Sequence, residues 1–147
     1  KQYLMDTLDK PYPLEKRKEI LDIYFYHFIF REDKEWSFKL LEKIRETNDR
    51  QYITYNEEAY EVMIEKKTDL LESMIEGIEN KKYGGLGLGI AVFMVGMQYK
   101  LLNDKDNART YFYNSLSCFH KKSFYYAEAK AYVDQLTEEM NVEALDY

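Results

Sequence analysis

Cysteine is almost missing from this chain: Cys118 is the single thiol among 147 residues. One thiol forbids an intrachain disulfide, so the fold must rest on its apolar core, as expected of a protein of the reducing cytoplasm. Proline occurs only twice, at Pro11 and Pro13, and four of the six glycines fall between Gly84 and Gly89. Elsewhere long helices can run without interruption. No apolar run approaches the roughly 18 residues of a membrane helix, and no signal peptide is visible, so a soluble chain with no membrane partner is expected. The sequence opens on Lys1 rather than Met, which leaves room for a segment removed upstream.

Positive charge is also in short supply, with 21 Lys and Arg against 27 Asp and Glu, for a net charge of -6. Phosphate contacts need a concentrated basic surface, so nucleic acid is excluded as a partner. The densest basic stretch, Lys16-Arg17-Lys18, is blunted by Glu15 and Glu19 on either side.

The residues of common active sites are scarce and badly spaced. His27 and His120 stand far apart, and neither belongs to HExxH or a comparable metal spacing. His27 sits inside an aromatic run, as a core or interface histidine would. Cys118, between Ser117 and Phe119, has no sequence neighbour that would lower its pKa, which fits a buried structural thiol. Carboxylates are plentiful, but a catalytic pair needs an apolar pocket to separate the two pKa values. The expectation is a protein that is not an enzyme, with no catalytic residue, no cofactor and no metal.

What the chain has in abundance is apolar and aromatic surface: 46% hydrophobic residues, with 15 Tyr and 8 Phe. That composition excludes disorder. Strand alternation is nearly absent, and the length suits one domain with a real core. We read residues 1–147 as a single all-α domain of about six helices, arranged as antiparallel hairpins in a short solenoid or a closed bundle.

Along the chain, residues 1–10 form a short helix or arm that docks through Tyr3, Leu4 and Leu8. Pro13 suits an early helical position, where its missing N–H would be unpaired anyway. The helix expected from Leu14 to Arg31 ends in eight large residues, Ile23 to Phe30. A strand could be drawn through that run, but its length together with the preceding charged turns favours a buried helix. A second helix carries Trp36, Leu40, Leu41 and Ile44 and stops near Asn48-Asp49. Gln51 to Tyr55 reads as a connector, and Asn56 as the cap of a long helix reaching about Lys82.

Leu88 to Lys121 reads as two antiparallel helices. In the first, Ile90, Phe93, Met97 and Leu101 recur at helical spacing with apolar flanks, so that helix must be covered on several sides. Asn103-Asp104-Lys105-Asp106 supplies the turn and the next N-cap, and Ala108, Tyr111, Phe112, Ser115, Leu116 and Phe119 share one stripe of the second. Gly96 and Ala108 sit where two helix backbones approach closely, with Tyr99 and Phe112 beside them. This arrangement of small and aromatic residues resembles the tetratricopeptide repeat, a helix pair of about 34 residues. The pattern departs from the family at Val92, where a large aromatic is usual, and at His120, where a proline is usual. The resemblance implies a scaffold that binds peptides or proteins, and it implies no chemistry. An internal echo accompanies it: Asp33-Lys34-Glu35 before Ser37 and Leu41 parallels Asp104-Lys105-Asp106 before Ala108 and Phe112, about 71 residues on.

After Lys121-Lys122-Ser123 a last helix carries Phe124, Tyr125, Ala127, Ala129, Tyr132, Val133 and Leu136, with Val142 to Tyr147 frayed. It is either a capping helix or the first half of a further unit.

Three surface features bear on function. On the long helix expected from Asn56, Glu57, Glu61, Glu65, Asp69, Glu72, Glu76 and Glu79 fall at spacings of three and four, which predicts a continuous carboxylate ridge. That ridge is either a solvated outer face or a landing strip for a basic partner. Gly85, Gly87 and Gly89 suggest a phosphate cradle only superficially, since no strand precedes them and the Walker lysine is missing. They read better as a helix stop and a close crossing, with a ligand-driven hinge as the alternative. Tyrosine exceeds what one helical core can hide, and Tyr111, Tyr113, Tyr125 and Tyr126 are the candidates for an aromatic recognition surface.

The function these features favour is a non-catalytic module that binds another protein or a peptide, most concretely a small acidic inhibitor or immunity-type protein that neutralises a basic toxin or effector. A peptide-sensing domain of a bacterial regulator, with its DNA-binding part upstream, is the second reading. A small hydrolase or phosphatase is the third.

Overall fold

The computed structural model describes residues 2–145, and within them the protein is all-helical. The chain divides into two compact units, Lys1–Glu65 and Lys66–Tyr147. The first holds α1 (Gln2–Leu8), α2 (Leu14–Phe30), α3 (Lys34–Arg45) and α4 (Arg50–Met63), and the second holds α5 (Leu71–Glu79), α6 (Leu86–Leu101), α7 (Lys105–Leu116) and α8 (Phe124–Leu145). Eight helices replace the expected six because the short arm is a helix and the long helix is two.

In the first unit the aromatic run of α2 is helical, not extended. Phe25, Tyr26, Phe28, Ile29 and Phe30 are buried against α3 and α4, while Ile23 and Tyr24 point outward. Pro13 sits at the N-cap, one position before the first helical residue. Residues 51–55 are not a connector but the first turns of α4, whose cap is Asp49: its carboxylate accepts from the Tyr52 amide at 3.3 Å. Asn56, expected to cap, is buried mid-helix and donates through Nδ2 to the Tyr52 carbonyl at 2.8 Å.

The break between α4 and α5 has a plain cause. Glu65-Lys66-Lys67-Thr68-Asp69 offers no side chain that an apolar face could bury, so nothing offsets the ordering of those residues as helix. Lys66 adopts a left-handed φ of 59°, and the Glu65 amide closes α4 on the Tyr60 carbonyl at 3.2 Å.

In the second unit α6 is buried without interruption from Gly89 to Gln98, covered by α5 and α7. The ring of Phe112 lies over Gly96, 4.9 Å from the ring of Phe93 and 5.0 Å from that of Tyr132 on α8, and Phe93 meets Tyr132 at 5.3 Å. These three rings join α6, α7 and α8. The one polar side chain buried in α6 is satisfied on both sides. Gln98 donates to the Met94 carbonyl at 3.3 Å and accepts at 3.1 Å from the Leu70 amide, at the start of α5 where no side chain caps the helix.

The sequence echo corresponds to repeated turn geometry. After α2, Glu32 is left-handed (φ 56°), the Asp33 amide reaches the Phe28 carbonyl at 3.0 Å, and Asp33 accepts from Trp36 at 3.1 Å. After α6, Asn103 is left-handed (φ 62°), the Asp104 amide reaches the Tyr99 carbonyl at 2.9 Å, and Asp104 accepts from Asn107 at 3.2 Å. Both are Schellman-type stops followed at once by an aspartate cap. Ser37 and Ala108, equivalent in the echo, are both fully buried.

The last helix continues to Leu145 rather than fraying from Val142; Asp146 and Tyr147 lie outside the described residues. Gly84 and Gly85 precede α6, whereas Gly87 and Gly89 lie inside it. Only Gly85 has a left-handed φ, 54°. No described helix is long and apolar enough to cross a membrane.

Candidate functional site

The seven carboxylates expected on one ridge do not share a helix. Glu57 and Glu61 belong to α4 and Glu65 follows it, all in the first unit, while Asp69, Glu72, Glu76 and Glu79 belong to the second. The continuous ridge is therefore corrected, because the helix that would carry it is interrupted at residues 64–70. Glu57 is in addition neutralised by Arg45, whose guanidinium donates to it at 2.9 Å.

What remains is a compact acidic face on α5. Met74 and Gly77 turn inward, and Asp69, Glu72, Glu76 and Glu79 are exposed. No lysine or arginine lies between Asp69 and Glu79, and among the described residues none of the four carboxylates makes an ion pair. Two of them occupy an unfavourable place. Glu76 and Glu79 fall in the last turn of α5, at the negative end of the helix dipole, with no basic side chain within that turn, although the Asn80, Lys82 and Lys81 amides close its Glu76, Gly77 and Ile78 carbonyls. Carboxylates there cost roughly 0.3–1 kcal/mol each at low salt. A local rule broken without a compensating contact is what a surface shaped for something other than stability presents.

Gln98, which holds the Leu70 amide, and Tyr83, which folds over Gly77, fix the two ends of α5. A methyl group built on Gly77 would lie 2.9 Å from the Tyr83 ring, and the Lys82 amide closes the helix on the Gly77 carbonyl at 2.8 Å.

The four tyrosines proposed as an aromatic surface separate. Tyr111 is half-buried and pairs with Tyr99 of α6, with ring centroids 5.5 Å apart. Burial, together with Tyr99 and the negative charge of Glu79, holds the Tyr111 hydroxyl above the ordinary phenol pKa. Tyr113 is 64% exposed but lies two residues on, about 200° around α7 and away from that pair. Tyr125 stacks on Phe119 at 5.4 Å and on Phe124 at 4.1 Å, and Tyr126 is half-buried beside it on α8. Sequence reasoning missed Tyr99 as a surface partner, although its position one turn before the Asn103-Asp104 turn placed it opposite Tyr111 in an antiparallel pair.

Several other polar groups are paired within the chain, whereas the buried Ser37 Oγ and Asn56 Oδ1 have no hydrogen-bond partner. Lys18 on α2 bonds Asp49 at 2.5 Å, and the Tyr52 hydroxyl donates to Asp22 at 2.8 Å. Burial raises both the Asp22 carboxyl and the Tyr52 phenol. These contacts tie α2 to α4. An open cleft of about 490 Å³ lined by Asn103, Asp104, Lys105, Asp106, Met140 and Glu143 is crossed by Lys105, which pairs with Glu143 and, at 3.6 Å, with Glu139. His120 accepts the Lys122 amide through Nδ1 at 3.1 Å, and His27 packs on Phe28 with ring centroids 5.5 Å apart. Cys118 is half-buried, and its Cβ would lie 2.8 Å from a methyl group built on Gly89. Among the described residues no group of three or more His, Cys, Asp or Glu could hold a metal.

Comparison with protein-family models, with curated proteins and with solved structures finds no match to this chain.

Proposed function

We propose that the protein is a non-catalytic binding module whose second unit engages a basic protein through the exposed face of α5. The observation that carries this reading is the set of four exposed carboxylates, Asp69 just before α5 and Glu72, Glu76 and Glu79 on it, none of which makes an ion pair among the described residues. Their summed field speeds encounter with a cationic surface and penalises acidic competitors. The net charge of -6 acts in the same direction. The most concrete form of the role is an acidic inhibitor or immunity-type protein that covers a basic toxin or effector. The α6–α7 hairpin, with Gly96 beneath Phe112, supports a tetratricopeptide-like scaffold for it, since such helix pairs present faces for contact.

The test is capture from extracts of the source cell at low and high salt, comparing the natural chain with two triple variants. Glu72→Gln/Glu76→Gln/Glu79→Gln removes the α5 charge, and Asp106→Asn/Glu128→Gln/Glu138→Gln removes equal charge elsewhere in the same unit. A basic protein retained by the natural chain and the control, but released by the α5 variant and by salt, supports the reading. Equal retention by both variants refutes it.

A further inference from the structure

The first unit carries a helix that cannot hold itself. With 7 residues α1 is too short to be stable alone in water, so it exists as a helix only while docked. It packs on α2 through Leu4 and Leu8, one turn apart and 7% and 3% exposed, while Gln2, Tyr3 and Asp6 face solvent. The Lys43 ammonium of α3 adds a bond to Asp9 at 2.6 Å. Between Asp9 and α2 stand Lys10-Pro11-Tyr12-Pro13, which form no helix. Each proline biases the residue before it toward extended backbone, so α1 cannot merge with α2 into one continuous helix. Ordering the helix offsets most of what two buried leucines and a partly exposed ion pair contribute. α1 therefore lifts far more often than the unit unfolds.

A lifted α1 uncovers an apolar socket, and the segment that fits this socket is given by the structure: α1 itself. We propose that α1 is an exchangeable strap, which closes the socket of a second copy of the chain through Leu4, Leu8 and the Asp9–Lys43 pair. Exchange in both directions gives a two-fold dimer that keeps every docking contact of the single chain. Only the course of residues 10–13 changes, from folding back to reaching across. Four residues span up to roughly 14 Å when extended, and the prolines favour that form. Association costs entropy, so the exchanged form gains as concentration rises. The inference does not rest on the role given to α5.

Shortening the linker separates exchange from docking within one chain. Deletion of residues 10–12 leaves α1 unable to reach its own socket, while the socket of a second chain stays open to it. Light scattering at high protein concentration should find the deletion variant dimeric and the natural chain predominantly monomeric. Leu4→Ser/Leu8→Ser added to the deletion should restore the monomer, with circular dichroism checking that each variant is folded. Hydrogen exchange on the natural chain is the second measurement. The Asp9 amide, bonded to the Met5 carbonyl at 3.1 Å, should exchange at least about tenfold faster than the amides of Phe25, Phe28 and Ile29 in α2. A monomeric deletion variant, a dimer that survives Leu4→Ser/Leu8→Ser, or an Asp9 amide as protected as those of α2 overturns the exchange.

Discussion

The ring of Phe112 occupies the space a side chain on Gly96 would need: a methyl group built there meets Phe112 Cδ1 at 2.9 Å. Phe112 cannot yield easily, because it is fully buried and held by Phe93 and Tyr132. Gly96→Ala gains about 0.5–1 kcal/mol of helix propensity, but overpacking a tight core costs about 1–3 kcal/mol. The net expectation is destabilisation of about 1 kcal/mol, read as a lower denaturation midpoint. Gly87→Ala provides the contrast. Nothing lies within 4 Å of its added carbon, so the same change there should stabilise by about 0.5–1 kcal/mol.

Gln98 positions the acidic helix. Its side chain is fully buried and accepts from Leu70, the residue that opens α5. Gln98→Leu keeps the volume but leaves that amide unpaired, with an expected cost of about 1–3 kcal/mol. Hydrogen exchange should show the loss at the first turn of α5, with the Leu70 amide losing most protection.

The two aspartates around Tyr52 make opposite contributions to pH dependence. Burial raises the Asp22 carboxyl above its unfolded value, outweighing the Tyr52 hydroxyl and Lys18, which act to lower it. The folded chain therefore binds that proton more tightly than the unfolded chain. The associated stability is fully present below the unfolded carboxylate value of 3.8 and is lost as pH rises through the folded value. Asp49 is shifted down, first by its bond to Lys18 and then by the Tyr52 amide, so its contribution is present at neutral pH and lost on acidification. Asn in place of Asp22 can still accept from Tyr52. Asp22→Asn should gain stability relative to the natural chain as pH rises above the unfolded carboxylate value of 3.8. The deficit of Asp49→Asn should instead be constant at neutral pH and shrink only as pH falls below 3.8, as followed by urea denaturation on both sides of that value.

Glu79→Lys tests the strain assigned to α5. Replacing a carboxylate in the last turn by a cation converts repulsion from the helix end into attraction. The variant should be about 0.5–1 kcal/mol more stable than the natural chain in low salt, with the difference shrinking as salt rises. It should also bind octa-arginine more weakly.

Much of this architecture could be read from the residues. The helical pitch of Ile90, Phe93 and Met97, the small residues Gly96 and Ala108, and the turn at Asn103-Asp104 defined the α6–α7 pair, because each signal is local. The similarity of Asp33 and Asp104 was also visible and corresponds to the same turn. The break between α4 and α5 was missed because charged residues with good helix propensity filled it. Glu65 and Lys66 permit a helix, but only an apolar side chain could have held one there. The error propagated to the candidate surface, joining Glu57 and Glu61 to carboxylates of another unit. Tyr99 escaped notice as a surface group because spacing along α6 says only that most of its circumference is apolar. Gln98 was hidden for the converse reason: a polar residue in an apolar helix gives no hint in sequence of which backbone amide it will meet.

The central claim is that contact occurs at the exposed face of α5. It is met most directly by an NMR titration of the isotope-labelled full chain with octa-arginine, mapping which amides shift. The account predicts the largest changes from Asp69 to Glu79, with little at Lys105, Glu139 and Glu143, where charges are already paired. Shifts spread evenly over the acidic residues, or concentrated at the Glu139 and Glu143 end of α8, would contradict it.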